Sequence, residues 1–174
     1  RRAVVAVHQR FEIVPERVIH ISSFSKILSQ GMRIGLMLIP EDLAPRFHKW
    51  SEDTYIHPAL PTAGIAYEYC RRGLLDPNIE RLKGIYRPRM DAMLKALRTH
   101  LTGDEWIEPE GGYFISTTLP ENVDGREIRE NCRKFGIVLT DGRGFFPDGR
   151  GENFIRLPFS ALTPEEIGEG IRRL

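Results

Sequence analysis

Ser23, Lys26 and Arg33 stand at spacings of three and seven within V-I-H-I-S-S-F-S-K-I-L-S-Q-G-M-R-I-G-L-M-L-I-P, the run from Val18 to Pro40. A lysine amine becomes a nucleophile when desolvation or a neighbouring cation lowers its pKa. A guanidinium offers a planar fork of donors matched to phosphate or carboxylate, and a serine hydroxyl adds one more donor. Two apolar runs, Val18–Ile21 and Ile34–Ile39, flank these polar residues. Runs of this length, rich in β-branched residues and bounded by polar or Gly/Pro punctuation, read as buried strands. The pattern therefore predicts a lysine and an arginine on a turn between two core strands. Charges in such a place need a partner, either a carboxylate elsewhere in the fold or an anionic ligand.

A second cation sits in a similar setting. Arg156 lies in N-F-I-R-L-P-F-S, with Phe154 and Ile155 before it and Leu157 after it. An arginine inside an apolar strand demands an anion, and Asp141, Asp148 and Glu152 are the nearby carboxylates that would satisfy it internally.

The elements that must position these groups follow from periodicity. After Pro40, Leu43, Phe47 and Trp50 form one helical stripe that Pro58 and Pro61 end, and a second helix spans Thr62 to about Arg72, closed by Gly73. Asp76 as N-cap with Pro77 after it opens a long amphipathic helix with Ile79, Leu82, Met90, Met93 and Leu97 on its buried side, kinked at Pro88. Tyr113–Leu119 alternates as a strand, a helix runs from Asp124 to Phe135, and Ile137–Thr140 and Asn153–Phe159 read as further strands. Thr163, Pro164 and Glu166 form a capping box for a last helix. Ala3–Val7 reads as a short strand ahead of a turn at Pro15.

The segment S-S-F-S-K-I-L-S-Q-G-M-R-I-G resembles the cofactor-lysine segment of the fold-type I, pyridoxal-phosphate-dependent aminotransferases of class I/II, in particular the aminoadipate/kynurenine group. In that family the lysine forms a Schiff base with pyridoxal 5'-phosphate, and a serine three residues before it and an arginine seven after it hold the phosphate. The resemblance places those roles on Lys26, Ser23 and Arg33. N-F-I-R-L-P-F-S resembles the family's C-terminal strand, whose arginine binds the substrate α-carboxylate, which implies that role for Arg156.

The resemblance implies an α/β fold: residues 1–80 as the end of the large PLP-binding domain, and residues 81–174 as a smaller α+β C-terminal domain that includes the linking helix. The implied activity is transfer of an amino group between an α-amino acid and a 2-oxo acid, in a cytoplasmic homodimer with neither nucleic-acid nor membrane partners. The same segment occurs in the aminotransferase-like effector domains of GntR-type transcription regulators, so that reading stays open beside an inactive remnant.

The chain opens Arg-Arg without methionine, and its match is to the C-terminal half of a protein about twice as long. The family's phosphate-loop glycines, its ring-stacking aromatic and the asparagine, aspartate and tyrosine around the cofactor ring are not identifiable here. This chain alone is therefore not expected to transaminate efficiently.

The gross numbers fit a soluble globular protein. The chain has 174 residues, 41% of them hydrophobic and 28% charged, with a formal net charge of +1. Near neutrality argues against a nucleic-acid or membrane surface built on bulk charge. The longest apolar run is about six residues, far short of the ~20 that cross a bilayer. Cys70 and Cys132 lie far apart and read as reduced thiols, while the histidines show no metal-ligand spacing and His57 reads as a turn residue. The loop Asp141–Gly151 carries four glycines but matches no phosphate-binding fingerprint, and reads as a mobile flap beside the substrate. Tyr113, entering its strand after Gly111 and Gly112, is a further candidate for substrate contact.

Overall fold

A computed structural model describes residues 15–101, 105–106, 108–120 and 122–174. The strand expected at Ala3–Val7 lies outside these. The chain divides into two compact units, Arg1–Lys83 and Gly84–Leu174.

The first unit is built on a hairpin. Strand β1 (His20–Ser23) pairs antiparallel with β2 (Gly35–Leu38), in a register that sets His20 opposite Leu38 and Ser23 opposite Gly35. Helices α1 (Ala44–Thr54) and α2 (Leu60–Arg71) follow, each entered with a proline in its first turn. That placement costs nothing, because the missing N–H is one the first turn leaves unbonded anyway.

Sequence periodicity predicted buried strands here, and the structure corrects this. Ile21 is 70% exposed, and Leu36, Met37 and Leu38 are also open. A two-stranded sheet has two faces and needs a layer on each, and the described residues supply neither. Trp50, on the predicted α1 stripe, is exposed for the same reason.

Helix α3 (Leu75–His100) runs without interruption past Pro88 and starts one residue ahead of Asp76, which therefore lies in its first turn rather than capping it. Its C-terminal half supplies Met93, Leu94, Ala96 and Leu97 to the core of the second unit.

That unit is a three-stranded antiparallel sheet in the order β3 (Glu105–Trp106), β4 (Phe114–Thr118), β5 (Phe154–Pro158), with helices α4 (Gly125–Lys134) and α5 (Pro164–Arg173). Alternation turns Ile115, Ile155 and Leu157 inward, where they join Leu97, Phe159 and Ile167, all nearly inaccessible. The helix ends are set locally. Asp124 accepts from the backbone N–H of Arg126 at 2.8 Å and of Glu127 at 3.3 Å. Thr163 and Glu166 close the reciprocal capping box.

Ile137–Thr140 is not a strand. The Ile137 N–H is spent on the carbonyl of Cys132, Gly136 turns the chain at φ +77°, and Val138 points to solvent, 82% exposed. A cleft of about 750 Å³ separates this segment from β5 and α5.

Candidate cofactor and carboxylate sites

The turn between β1 and β2 is a folded object. Phe24 donates its N–H to the Ile34 carbonyl at 3.0 Å, and Leu28 donates to Phe24 at 2.8 Å, closing one helical turn over Phe24–Leu28. The Asn78 side chain, from the first turns of α3, donates to the Ile27 carbonyl at 2.6 Å and pins the turn from outside. Lys26 sits in the middle of this turn with its side chain exposed. Burial, one of the two ways to activate a lysine, is thus not supplied by the described residues.

Ser23 ends β1 and its hydroxyl faces the same turn. It donates to Ser25 Oγ at 3.0 Å and accepts from the Ser25 backbone N–H at 3.1 Å. Ser23 and Ser25 thus form a hydroxyl pair. Gly35, paired with Ser23, needs its missing side chain, since a Cβ there would lie 3.2 Å from the Ser22 carbonyl oxygen. Gly31 does not need its own: the nearest atom to a Cβ there would be 3.8 Å away.

Arg33 follows the 3-10 turn Gln30–Met32 and adopts φ 51°, ψ 41°. A non-glycine residue in the left-handed region carries a cost of about 1–2 kcal/mol. Backbone strain of this kind collects at functional sites, where side-chain direction is the return. The Arg33 guanidinium is exposed and has no carboxylate partner among the described residues.

Arg156 lies in the second unit, on β5 opposite Ser116 of β4. Its expected place inside the core is corrected by alternation: Ile155 and Leu157 point inward, so Arg156 points to the other, half-open face with Phe114, Ser116 and Phe154. The internal ion pair considered for it is also absent among the described residues. Asp141 is taken by Arg143, whose Nη2 lies 2.6 Å away, and Asp148 is taken by Arg150 at the same distance. The Arg156 guanidinium carbon instead sits 4.1 Å from the Phe114 ring centroid and 4.0 Å from that of Phe145. Ring faces attract cations, and such a contact takes no N–H from the guanidinium, so its donors stay available for a carboxylate.

The loop read as a mobile flap folds on itself through two 3-10 turns, Gly142–Phe145 and Gly151–Asn153. A Cβ on Gly142 would collide with the carbonyl oxygens of Gly151 and Phe154, and one on Gly151 with the Phe146 ring. The glycines serve close packing, and the packing seats Phe145 and Phe146 edge-on against Phe154 at 5.8 and 5.3 Å.

Sequence reading passed over Arg129, which is buried, donates to the Glu152 carbonyl at 2.8 Å and reaches Asp141 at 4.0 Å. It ties α4 to both ends of this loop. The available signal was its place on the stripe Gly125, Arg129, Cys132, which is the buried side of α4. The Arg143 guanidinium hydrogen-bonded to Asp141 is the main reason that carboxyl is held far below the usual carboxylate range, with the backbone N–H of Arg143 next. Tyr113 packs edge-on against Tyr86 at 5.1 Å, and burial, then Tyr86, pushes its hydroxyl pKa up. His57 hydrogen-bonds through Nδ1 to the Pro58 carbonyl at 2.9 Å, as a turn residue does.

The whole span from residue 3 to residue 174 matches the sequence profile of aminotransferase class I and II. The chain is 36% identical over 159 residues to aromatic-amino-acid aminotransferase 1 of Thermococcus litoralis, covering 91% of this chain and 38% of that protein. It superposes with a TM-score of 0.87 and 34% identity on kynurenine aminotransferase of Pyrococcus horikoshii solved in complex with PMP, covering 91% of this chain and 39% of that one. It is also 30% identical over 162 residues to the HTH-type transcriptional regulator TauR of Rhodobacter capsulatus, covering 91% of this chain and 33% of the regulator. The chain thus spans about two fifths of the length of the curated aminotransferases it matches. Its fold is the C-terminal portion of the fold-type I aminotransferase fold. The chain belongs to the class I and II aminotransferases.

Proposed function

We propose that the chain carries the lysine half of a pyridoxal 5'-phosphate transaminase site, acting between α-amino acids and 2-oxo acids. The observation that carries this reading is the turn itself: Ser23, Lys26 and Arg33 lie on one hairpin, and Arg33 accepts a strained backbone with no carboxylate to pair with among the described residues. The residues present suit the phosphate end of the cofactor. The Ser23–Ser25 hydroxyl pair and the Arg33 fork offer donors to it, and Lys26 Nζ is the group to hold the cofactor covalently. When bound, the cofactor supplies an electron sink for the bonds at the substrate Cα.

With the cofactor bound, a free Lys26 amine would be the base that holds and returns the substrate Cα proton. Arg156, with its open N–H edge, is the carboxylate binder. Residues 1–80 are read as the end of the cofactor domain and 81–174 as the small domain of a cytoplasmic homodimer. No helix of the described residues is long and apolar enough to cross a membrane.

Incubating the 174-residue protein with pyridoxal 5'-phosphate, reducing with borohydride and mapping peptides tests the central assignment. The label is expected on Lys26, and Lys26→Ala is expected to lose it. Label spread over other lysines, unchanged in the variant, sinks the reading. A regulator's effector domain is the second reading, supported by the similarity to TauR. The two share the Lys26 label and part on whether the complete polypeptide turns substrate over.

A further inference from the structure

Arg156 poses a problem that the fold solves in an unusual way. A guanidinium that must bind a carboxylate has to be rigid, yet each N–H given to a protein acceptor is one fewer for the ligand. Here the described residues supply neither a hydrogen-bond acceptor nor a carboxylate to Arg156, and two phenyl rings lie about 4 Å from its central carbon. Phe114 comes from β4, two residues along from Ser116, the register partner of Arg156. Phe145 comes from the folded loop, whose place is set by Phe146 and Phe145 against Phe154 and by Arg129 on the Glu152 carbonyl.

We propose that Phe114 and Phe145 are positioning residues for carboxylate recognition: they hold the Arg156 guanidinium against their rings without taking a hydrogen bond from it, so that its N–H groups are left for a monocarboxylate. The inference rests on the carboxylate role of Arg156. It adds that the role depends on two aromatic faces, one of them delivered by the Asp141–Gly151 loop. Cation–π contact suits this task because it restrains the side chain without consuming a donor. A salt bridge would restrain the side chain as well, but would occupy the fork.

The experiment is NMR of the arginine Nε–Hε groups in the 174-residue protein, with the Arg156 signal identified by its loss in Arg156→Lys. Between two rings this signal is expected well upfield of the exposed arginines. Phe145→Leu and Phe114→Leu should each move it back toward them, and Phe145→Tyr, which keeps the ring, should restore it. Titration with 3-phenylpropionate should then shift the wild-type signal, and bind roughly three- to tenfold more weakly in either leucine variant, the range a cation–π contact of ordinary strength allows.

An Arg156 signal already among the exposed arginines, or one unmoved by both leucine variants, overturns the positioning role. Equal carboxylate affinity in wild type and both leucine variants also overturns it, while leaving the Arg156 assignment intact. An upfield signal that no carboxylate perturbs overturns the carboxylate assignment instead.

Discussion

At Arg33 the two demands on a residue, backbone and side chain, point in opposite directions. The left-handed conformation favours glycine, and the position holds an arginine. Substitution separates the two. Arg33→Gly is expected to raise thermal stability, by about 1 kcal/mol, because the backbone strain disappears. The same change should weaken retention of pyridoxal 5'-phosphate by roughly tenfold or more, the worth of a charge-assisted hydrogen bond to a phosphate. Arg33→Gln should weaken retention without the gain in stability. Melting curves and equilibrium dialysis read both quantities, and a glycine variant that melts lower removes the strain argument. The placement of Lys26 and Arg33 on a turn between two strands was legible from the apolar runs on either side of them. The left-handed turn was not, because arginine carries no signature for it. Arg129 escaped for a related reason: a charged residue on a helix reads as solvated until its neighbours on the stripe prove to be buried.

Among the elements, the loop between α4 and β5 has its integrity tied to pH. Asp141 is held at its N-terminal end by Arg143 and reached by Arg129, which also grips the Glu152 carbonyl near the far end. These contacts depress its carboxyl below the ordinary value of 3.8. A carboxyl with a folded pKa below its unfolded one stabilises the fold above the unfolded pKa and loses that contribution as the pH falls through the folded one. The loop is therefore expected to loosen progressively from about pH 4 downward. Hydrogen exchange at the Arg143 amide, which donates to Asp141 at 3.0 Å, reports it. In Asp141→Asn the protection of this amide, relative to its intrinsic exchange rate, should be lower at neutral pH and should no longer fall in acid; an unchanged fall in that variant removes Asp141 from the explanation.

Legibility at this scale follows distance along the chain. The Thr163–Glu166 capping box and the Asp124 N-cap were readable because every participant lies within one helical turn. The segment Ile137–Thr140 was misread because a ladder needs a partner strand, which local pattern does not contain. The open face of β5 was misjudged because neighbours of Arg156 in sequence lie on the opposite side of the sheet.

For the molecule as a whole, the distribution of buried residues is uneven. The second unit gathers thirteen buried residues into one cluster, whereas the buried hydrophobics of the first, among the described residues, are Ile34 and Ala66. Apolar burial is the main favourable term in folding, so protection from hydrogen exchange should follow it. Amides of β4, β5 and the C-terminal half of α3 are expected to exchange slowly, and those of β1, β2 and α1 faster by at least tenfold. Equal protection across both units would mean that something besides the described core stabilises the first. The two-unit division was approachable from sequence, since the long helix marks the passage between them. The exposure of the hairpin was not, because apolar strands look alike whether or not the chain itself covers them.

That exposure has a consequence for the protein as a substance. Among the described residues β1 and β2 pair only with each other, so each keeps one edge of unbonded N–H and C=O groups beside apolar side chains. Such an edge is a template on which another strand can add. Copies of the isolated chain have the means to recruit one another there, at a rate that rises with concentration. The segment that carries Lys26 is thus also the one at which a strand from another copy would find unbonded backbone groups.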